Sequence, residues 1–237
     1  MPRTLCRCCM ETLYQDTEQY ICHKYKNRDE WKEKRIKGIG GSDASTLVGL
    51  NPWKDNNTLW KEKKGVIEAV DIFDRPYIQY GIKAEDLLRK LFALDFPYYD
   101  VQYIDNVTLQ SKEIPWLLYS PDGLLIDKRT GMKGIFECKT TNILQSMQKE
   151  KWNNRIPDNY YVQILHGLMV TGFDFVVLKA QLKTEYKDGN ITLVTKHYII
   201  YRDGVLEDLE WLKQKEIEQY ETYYIKNIEP PTILPML

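Results

Sequence analysis

The sequence predicts an α/β chain of the α+β kind, with a central mixed sheet flanked by helices. Element order is the first reason: helix-patterned segments from Asp29, aromatic and β-branched runs between Tyr98 and Thr140, a helix opened at Pro157, two more strand-like runs and a last charged helix. Alternation is the second. In the run from Gly134 to Thr140, Glu137 and Lys139 point one way, and Phe136 and Cys138 point the other way into apolar surroundings. The third is turn chemistry, with Asp188-Gly189-Asn190 joining the runs Phe173 to Leu182 and Ile191 to Tyr201 as a hairpin.

In chain order, residues 1–28 show no periodicity and read as an N-terminal extension of unclear order. A domain spans 29–228, and 229–237, with Pro230, Pro231 and Pro235, reads as a loose tail. Asp29 caps a helix to Arg35, Ala44 to Val48 is a short helix, and Asn57 to Lys64 is a third, stopped at Gly65. A long helix runs from about Arg75 to Leu94 with Pro76 in its first turn. Tyr98 to Leu109 reads as one strand, and Pro115 to Tyr119, Gly123 to Ile126 and Gly134 to Thr140 continue it as a meander. An irregular helix covers Asn142 to Trp152, another runs from Pro157 to Thr171 before Gly172, and Val205 to Ile225 is amphipathic and charged.

The 237 residues suffice for one sizeable domain, and 43% hydrophobic with 28% charged residues is the balance of a globular protein. No run approaches the roughly 18 apolar residues of a membrane span, and no signal-peptide core opens the chain. An intracellular location and no membrane partner are therefore expected. A net charge of -1 excludes a generally sticky polycation but leaves room for a basic patch beside an acidic metal site. The odd cysteine count (Cys6, Cys8, Cys9, Cys22 and Cys138) favours free thiols. The first four, with His23, belong either to a variable extension or to a zinc site, for which C-x-C-C is a poor match.

The candidate chemistry centres on Ser120-Pro121-Asp122-Gly123 and, fifteen residues after Asp122, on Glu137-Cys138-Lys139. Two carboxylates on neighbouring strands repel unless a cation neutralises them, and a hard oxygen pair suits Mg²⁺ or Mn²⁺. The Cys138 carbonyl could complete the shell, with Lys139 orienting a water or stabilising charge on phosphorus. The plain alternative is a surface turn and an ordinary cross-strand pair. Glu85 falls near the edge of an apolar stripe of Ile78, Gly81, Leu88 and Phe92, where it needs either a metal or an ion pair with Arg89. Gln163 and His166 share a helix face, either as a site pair or as a local hydrogen-bonding pair. The glycines of 38–43 run into a helix start near Ser42, with Arg35 close by: an anion cradle or a tight turn. Trp31, Trp53 and Trp60 are either base-stacking or core residues.

Taken in order, R-x-x-G-I-G-G-S-D-A from Arg35, N-P-W, L-W-x-x-K-x-G, G-x-x-x-E ending at Glu85, S-P-D-G, E-C-K-T, Y-x-x-Q-x-x-H and T-G resemble the YqaJ-type viral recombinase family. These are alkaline exonucleases of the phage lambda type within the PD-(D/E)xK nuclease superfamily. The resemblance covers about Asp29 to Leu182. It implies a restriction-endonuclease-like core and a two-metal site that hydrolyses double-stranded DNA 5′ to 3′, releasing mononucleotides and leaving a 3′ single strand. It implies Asp122 bridging two Mg²⁺ ions, Glu137 and the Cys138 carbonyl completing one shell, Glu85 serving the other, and Lys139 handling the water. Arg35, Ser42, Ser120 and Gln163 would surround a 5′-phosphate, while His166 matches a family pattern without a fixed role. A ring-shaped homotrimer and a single-strand-annealing protein partner are further implications. The alternatives are another PD-(D/E)xK nuclease, including an endonuclease or a type whose cysteine-held metal cluster follows the core, and a catalytically inactive DNA-end-binding module. No cysteine follows Cys138, which counts against the cluster type.

Overall fold

Two sheets form around one central helix because the strand-forming stretches bury different faces. The structure is a computed structural model that describes residues 11–144 and 146–233. β1 (Tyr20–Lys24), β4 (Val107–Ser111), β5 (Leu117–Tyr119) and β2 (Ile39–Gly40) make a four-stranded sheet in the order β1-β4-β5-β2. The second sheet has five strands in the order β3 (Tyr99–Gln102), β6 (Gly123–Asp127), β7 (Lys133–Asn142), β8 (Phe175–Glu185) and β9 (Ile191–Tyr201). β7 and β8 are parallel, joined through α5 (Ser146–Glu150) and α6 (Asp158–Thr171), and the other pairs of this sheet are antiparallel.

The apolar side of α6 (Val162, Leu165, Leu168) packs with Leu109, Leu117 and Tyr119 of one sheet and Leu124, Ile135 and Val176 of the other. α4 (Pro76–Asp95) covers the opposite face of the five-stranded sheet, where Leu88 and Phe92 meet Leu125, Phe136, Cys138 and Val177. Each such buried side chain stabilises the fold by about 1.5–3 kcal/mol relative to exposure. α7 (Leu206–Gln219) docks Leu209 and Leu212 on the central core and continues as a π-helical turn over Tyr220–Ile225.

Local chemistry explains the element ends. Asn27 rather than Asp29 caps α1 (Arg28–Arg35), its Oδ1 accepting from the Glu30 amide at 2.9 Å. Asp29 instead lies in the first turn, where its charge complements the helix dipole. α2 (Gly41–Leu47) starts ahead of the expected Ala44 because Asp43 reaches back to the Gly40 amide at 3.1 Å. α3 (Asn56–Lys63) is capped by Asp55. Gly172, at φ +68°, closes α6 in the left-handed conformation that glycine adopts freely.

Several expectations are corrected. Tyr98 to Leu109 is two strands in different sheets, because Asn106 takes φ +53° and turns the chain between β3 and β4. The meander is broken too: β5 and β6 do not pair, and the chain crosses from one sheet to the other between Tyr119 and Gly123. Residues 11–28, where periodicity revealed no element, contribute β1 and bury Leu13, Tyr14 and Tyr20. The Tyr20 hydroxyl donates to the Leu13 carbonyl at 2.6 Å, and β1 pairs with β4. The tail is fastened to α3: Asn56 donates to the Pro231 carbonyl at 3.0 Å and accepts from the Ile233 amide at 2.8 Å. Cys6, Cys8 and Cys9 lie outside the described residues; Cys22 and Cys138 are free thiols.

Candidate active site

β7 carries the centre of the site. Its alternation is the expected one, with Phe136 and Cys138 under α4 and Ile135 against α6, so Glu137 and Lys139 share the α6 side. Glu137 is fully buried, yet both of its oxygens are partnered. Oε1 accepts from the Tyr119 hydroxyl, and Oε2 accepts from Lys139 Nζ at 3.0 Å and from Gln163 Nε2 at 3.0 Å. Tyr119 reaches this position because Gly41 and Gly167 lack side chains. A Cβ at Gly41 would lie 3.3 Å from the Tyr119 ring, and one at Gly167 would lie 2.7 Å from it.

Asp122 sits on the segment that crosses between the sheets, and its Oδ2 accepts from the Cys138 amide at 2.8 Å. β6 pairs with β7 only as far as Gly123 and Phe136, which leaves the Cys138 amide free for this bond. Within a strand, the N–H and C=O of one residue point to the same side. The Cys138 carbonyl is therefore directed toward Asp122 as well. Burial, reinforced by the Glu137 charge, pushes the Asp122 carboxyl well above the usual range. Burial pulls Lys139 down, but Glu137 and Asp122 outweigh it and hold its ammonium above the ordinary lysine value. Lys139 is a cation here, not a free base.

Glu85 approaches from α4, on the opposite face of the sheet from Glu137. Burial, and to a smaller extent Glu137, raise its pKa against the pull of Arg89. Arg89 Nη1 lies 3.3 Å from Glu85 Oε1 and donates to the Asp122 carbonyl at 2.7 Å, with its guanidinium 3.4 Å from the Tyr103 ring centroid. The ion pair expected as the alternative for Glu85 is thus present, with Arg89 buried, Glu85 half-buried and the pair tied to the site. Among the described residues, no group of three or more His, Cys, Asp or Glu stands ready to hold a metal ion. Asp122 and Glu137 still fit a divalent cation by donor type, because a positive charge would offset the burial and the Glu137 charge that together disfavour the Asp122 carboxylate.

A second group lies next to Ser120. Arg35 Nη2 donates to Ser42 Oγ, and the Arg35 guanidinium lies 5.0 Å from the Trp31 ring centroid. Trp31 Nε1 donates to Ser120 Oγ at 3.0 Å. Lys63 braces the turn behind them, donating to the Gly38 carbonyl at 2.7 Å and pairing with Asp43 at 2.7 Å. Burial pushes Asp43 up, but Lys63 and Arg35 outweigh it and hold the carboxyl below its usual value.

The structure therefore joins Asp122, Glu137, Cys138, Lys139 and Gln163 directly, and Glu85 through Arg89. It links Arg35, Ser42 and Ser120 through Trp31, while the Gln163 stem rests beside Gly41, next to Ser42. His166 is apart: fully buried, it donates from Nε2 to the Leu118 carbonyl at 3.0 Å and meets Glu216 through Nδ1 at 2.9 Å. Tyr119 and Arg89 were missed as site residues. Tyr119 adjoins the Ser120-Pro121-Asp122 stretch and Arg89 follows Leu88 on the apolar stripe, signals that become specific only in three dimensions.

Comparison with known proteins bears on this arrangement. The model of the YqaJ-like viral recombinase domain matches residues 30–174, more than half of the chain. The chain belongs to the YqaJ-like viral recombinase family. A relative, the uncharacterized protein YqaJ of Bacillus subtilis (strain 168), is 35% identical over 149 residues. That match covers 63% of this chain and 44% of the relative, so the chain spans less than half of that protein. The fold is shared with an alkaline exonuclease, LHK-Exo of Laribacter hongkongensis, at a TM-score of 0.55 and 15% identity, covering 84% of this chain and 97% of that one. The same enzyme in complex with dAMP superposes with a TM-score of 0.53 at 15% identity, over 84% of this chain and 97% of that one. The mixed α/β architecture with flanking helices, expected from sequence around one central sheet, is that of this YqaJ-like chain with its strands divided between two sheets, and no described helix is long and apolar enough to cross a membrane.

Proposed function

We propose that this YqaJ-like protein is a Mg²⁺-dependent exonuclease that degrades double-stranded DNA from a 5′ end. The observation that carries the reading is the bonded set Asp122, Cys138, Glu137, Lys139 and Gln163 around two mutually repelling carboxylates, in a chain with the alkaline exonuclease fold. Asp122, Glu137 and the Cys138 carbonyl would hold the metal, with Glu85 serving a second ion beside Arg89. Bound Mg²⁺, or Mn²⁺ in its place, would supply charge stabilisation at the phosphodiester and lower the pKa of a bound water.

The chain's own groups have defined tasks in this reading. Tyr119 and Gln163 fix the Glu137 carboxylate from both sides. Protonated Lys139 offers a positive charge to the attacking oxygen or to the charge that builds on phosphorus. Arg35, Ser42 and Ser120, with Gln163 nearby, offer donors to a terminal 5′-phosphate, for which charge-assisted hydrogen bonds are the strong kind. The test is to incubate the protein with linear duplex, circular duplex and single-stranded DNA, with Mg²⁺ or EDTA. Mononucleotides from linear duplex alone, in Mg²⁺ alone, are expected. Cut circles would establish an endonuclease, and binding without product an inactive end-binding module.

A further inference from the structure

We infer that Trp53 and Tyr160 form a stacking step that receives one unpaired nucleobase beside the reacting phosphodiester; this rests on the reading of the site as a DNA nuclease. Trp53 is 73% exposed. It is not on a loose end, because the Asn51 side chain accepts from its amide at 2.9 Å. Its ring lies 6.4 Å from that of Tyr160, the planes tilted by 44°. Tyr160 in turn lies 5.6 Å from Lys139 Nζ and 5.5 Å from the ring of Trp152, which is only 2% exposed. A buried indole thus backs the tyrosine, the tyrosine ring lies beside the site lysine, and the exposed indole continues outward.

One exposed aromatic residue is common on any protein and needs no function. This one differs because a short aromatic path connects it to Lys139, and the path runs outward as a nucleotide does, from phosphate to base. A base inside a duplex is covered on both faces by its neighbours and a terminal pair bares only its outer face, so an unpaired base is the one free to turn a face to Trp53 while its own phosphate lies at Lys139. Aromatic faces accept any base, which suits an enzyme that must process every sequence.

The test is equilibrium binding of the full chain in EDTA, so that no cleavage intervenes. The probes are two 5′-phosphorylated duplexes with three unpaired 5′-terminal nucleotides, natural in one and abasic in the other. Wild type should bind the natural end about 5- to 150-fold more tightly, the span of base–aromatic stacking at 1–3 kcal/mol. Trp53→Ala should bind both with the abasic affinity, and Trp53→Phe should recover most of the difference. Wild type that binds both ends equally, or a Trp53→Ala protein that still tells them apart, overturns the stacking step. Nuclease activity of wild type on linear duplex is measured in parallel: if it is present, only the step has failed, and if it is absent, the nuclease reading has failed too.

Discussion

Replacing Tyr119 with Phe deletes one oxygen from the centre of the site and leaves the ring in its slot between Gly41 and Gly167. The lost hydroxyl is the donor to Glu137 Oε1, and Glu137 is fully buried. A hydrogen bond to a charged group contributes about 1.5–3 kcal/mol, and a buried acceptor left open recovers none of it from water. For a chain of this size each kcal/mol moves Tm by about 2–4 °C, so Tyr119→Phe should melt about 3–12 °C below wild type in EDTA. Bound Mg²⁺ would neutralise part of the same carboxylate, so the deficit should shrink when Mg²⁺ is added. Thermal unfolding followed by circular dichroism, with EDTA and with a Mg²⁺ titration, measures both effects. An unchanged Tm in EDTA refutes the role given to the hydroxyl, and a deficit indifferent to Mg²⁺ refutes the placement of the ion at Glu137.

Other outcomes follow from the same geometry. Arg35→Ala should reduce the preference for a 5′-phosphorylated over a 5′-hydroxyl duplex end by about 10- to 150-fold, the equivalent of one charged hydrogen bond; equal rates on both ends in wild type would remove the pocket. Asp122→Asn should abolish Mg²⁺-dependent cleavage and the Mg²⁺-induced rise in Tm, yet not lower Tm in EDTA, because the amide keeps the bond from the Cys138 amide and ends the repulsion with Glu137. Burial lowers the His166 pKa but Glu216 raises it further, leaving it above its ordinary value of about 6.5. A raised histidine pKa adds stability that is fully present below the unfolded value and is lost as pH rises through the folded one. Glu216→Gln should therefore cost more Tm at pH 6 than at pH 9, and an equal loss at both would show that the pair is not charged.

Much of the site is legible in the chain. Alternation placed Glu137 and Lys139 on one face of β7, and helical spacing placed Glu85 at the edge of the α4 stripe, because both regularities are local and belong to the backbone. The N-terminal strand was not legible. Leu13, Tyr14 and Tyr20 are buried by partners elsewhere in the chain, including Gln102, whose Oε1 accepts from the Leu13 amide at 2.8 Å. The split at Asn106 was also hidden, since a single positive φ leaves no periodic trace. His166 lay in a recognised pattern, but only the approach of α7 makes it a buried partner of Glu216.

By itself the sequence determined which side chains bear charge, which strand face they occupy and, through the order of its motifs, the family. Tertiary structure alone decided that the chain leaves one sheet at Tyr119 and enters the other at Gly123, which carries Asp122 to the free Cys138 amide. It also decided that Tyr119 closes on Glu137 through the gap left by two glycines, and that Arg89 joins Glu85 to the Asp122 carbonyl. The physical reason is common to all three. Spacing along a strand or helix follows from local geometry, whereas the neutralisation of a buried carboxylate depends on which distant donors packing brings within hydrogen-bonding reach.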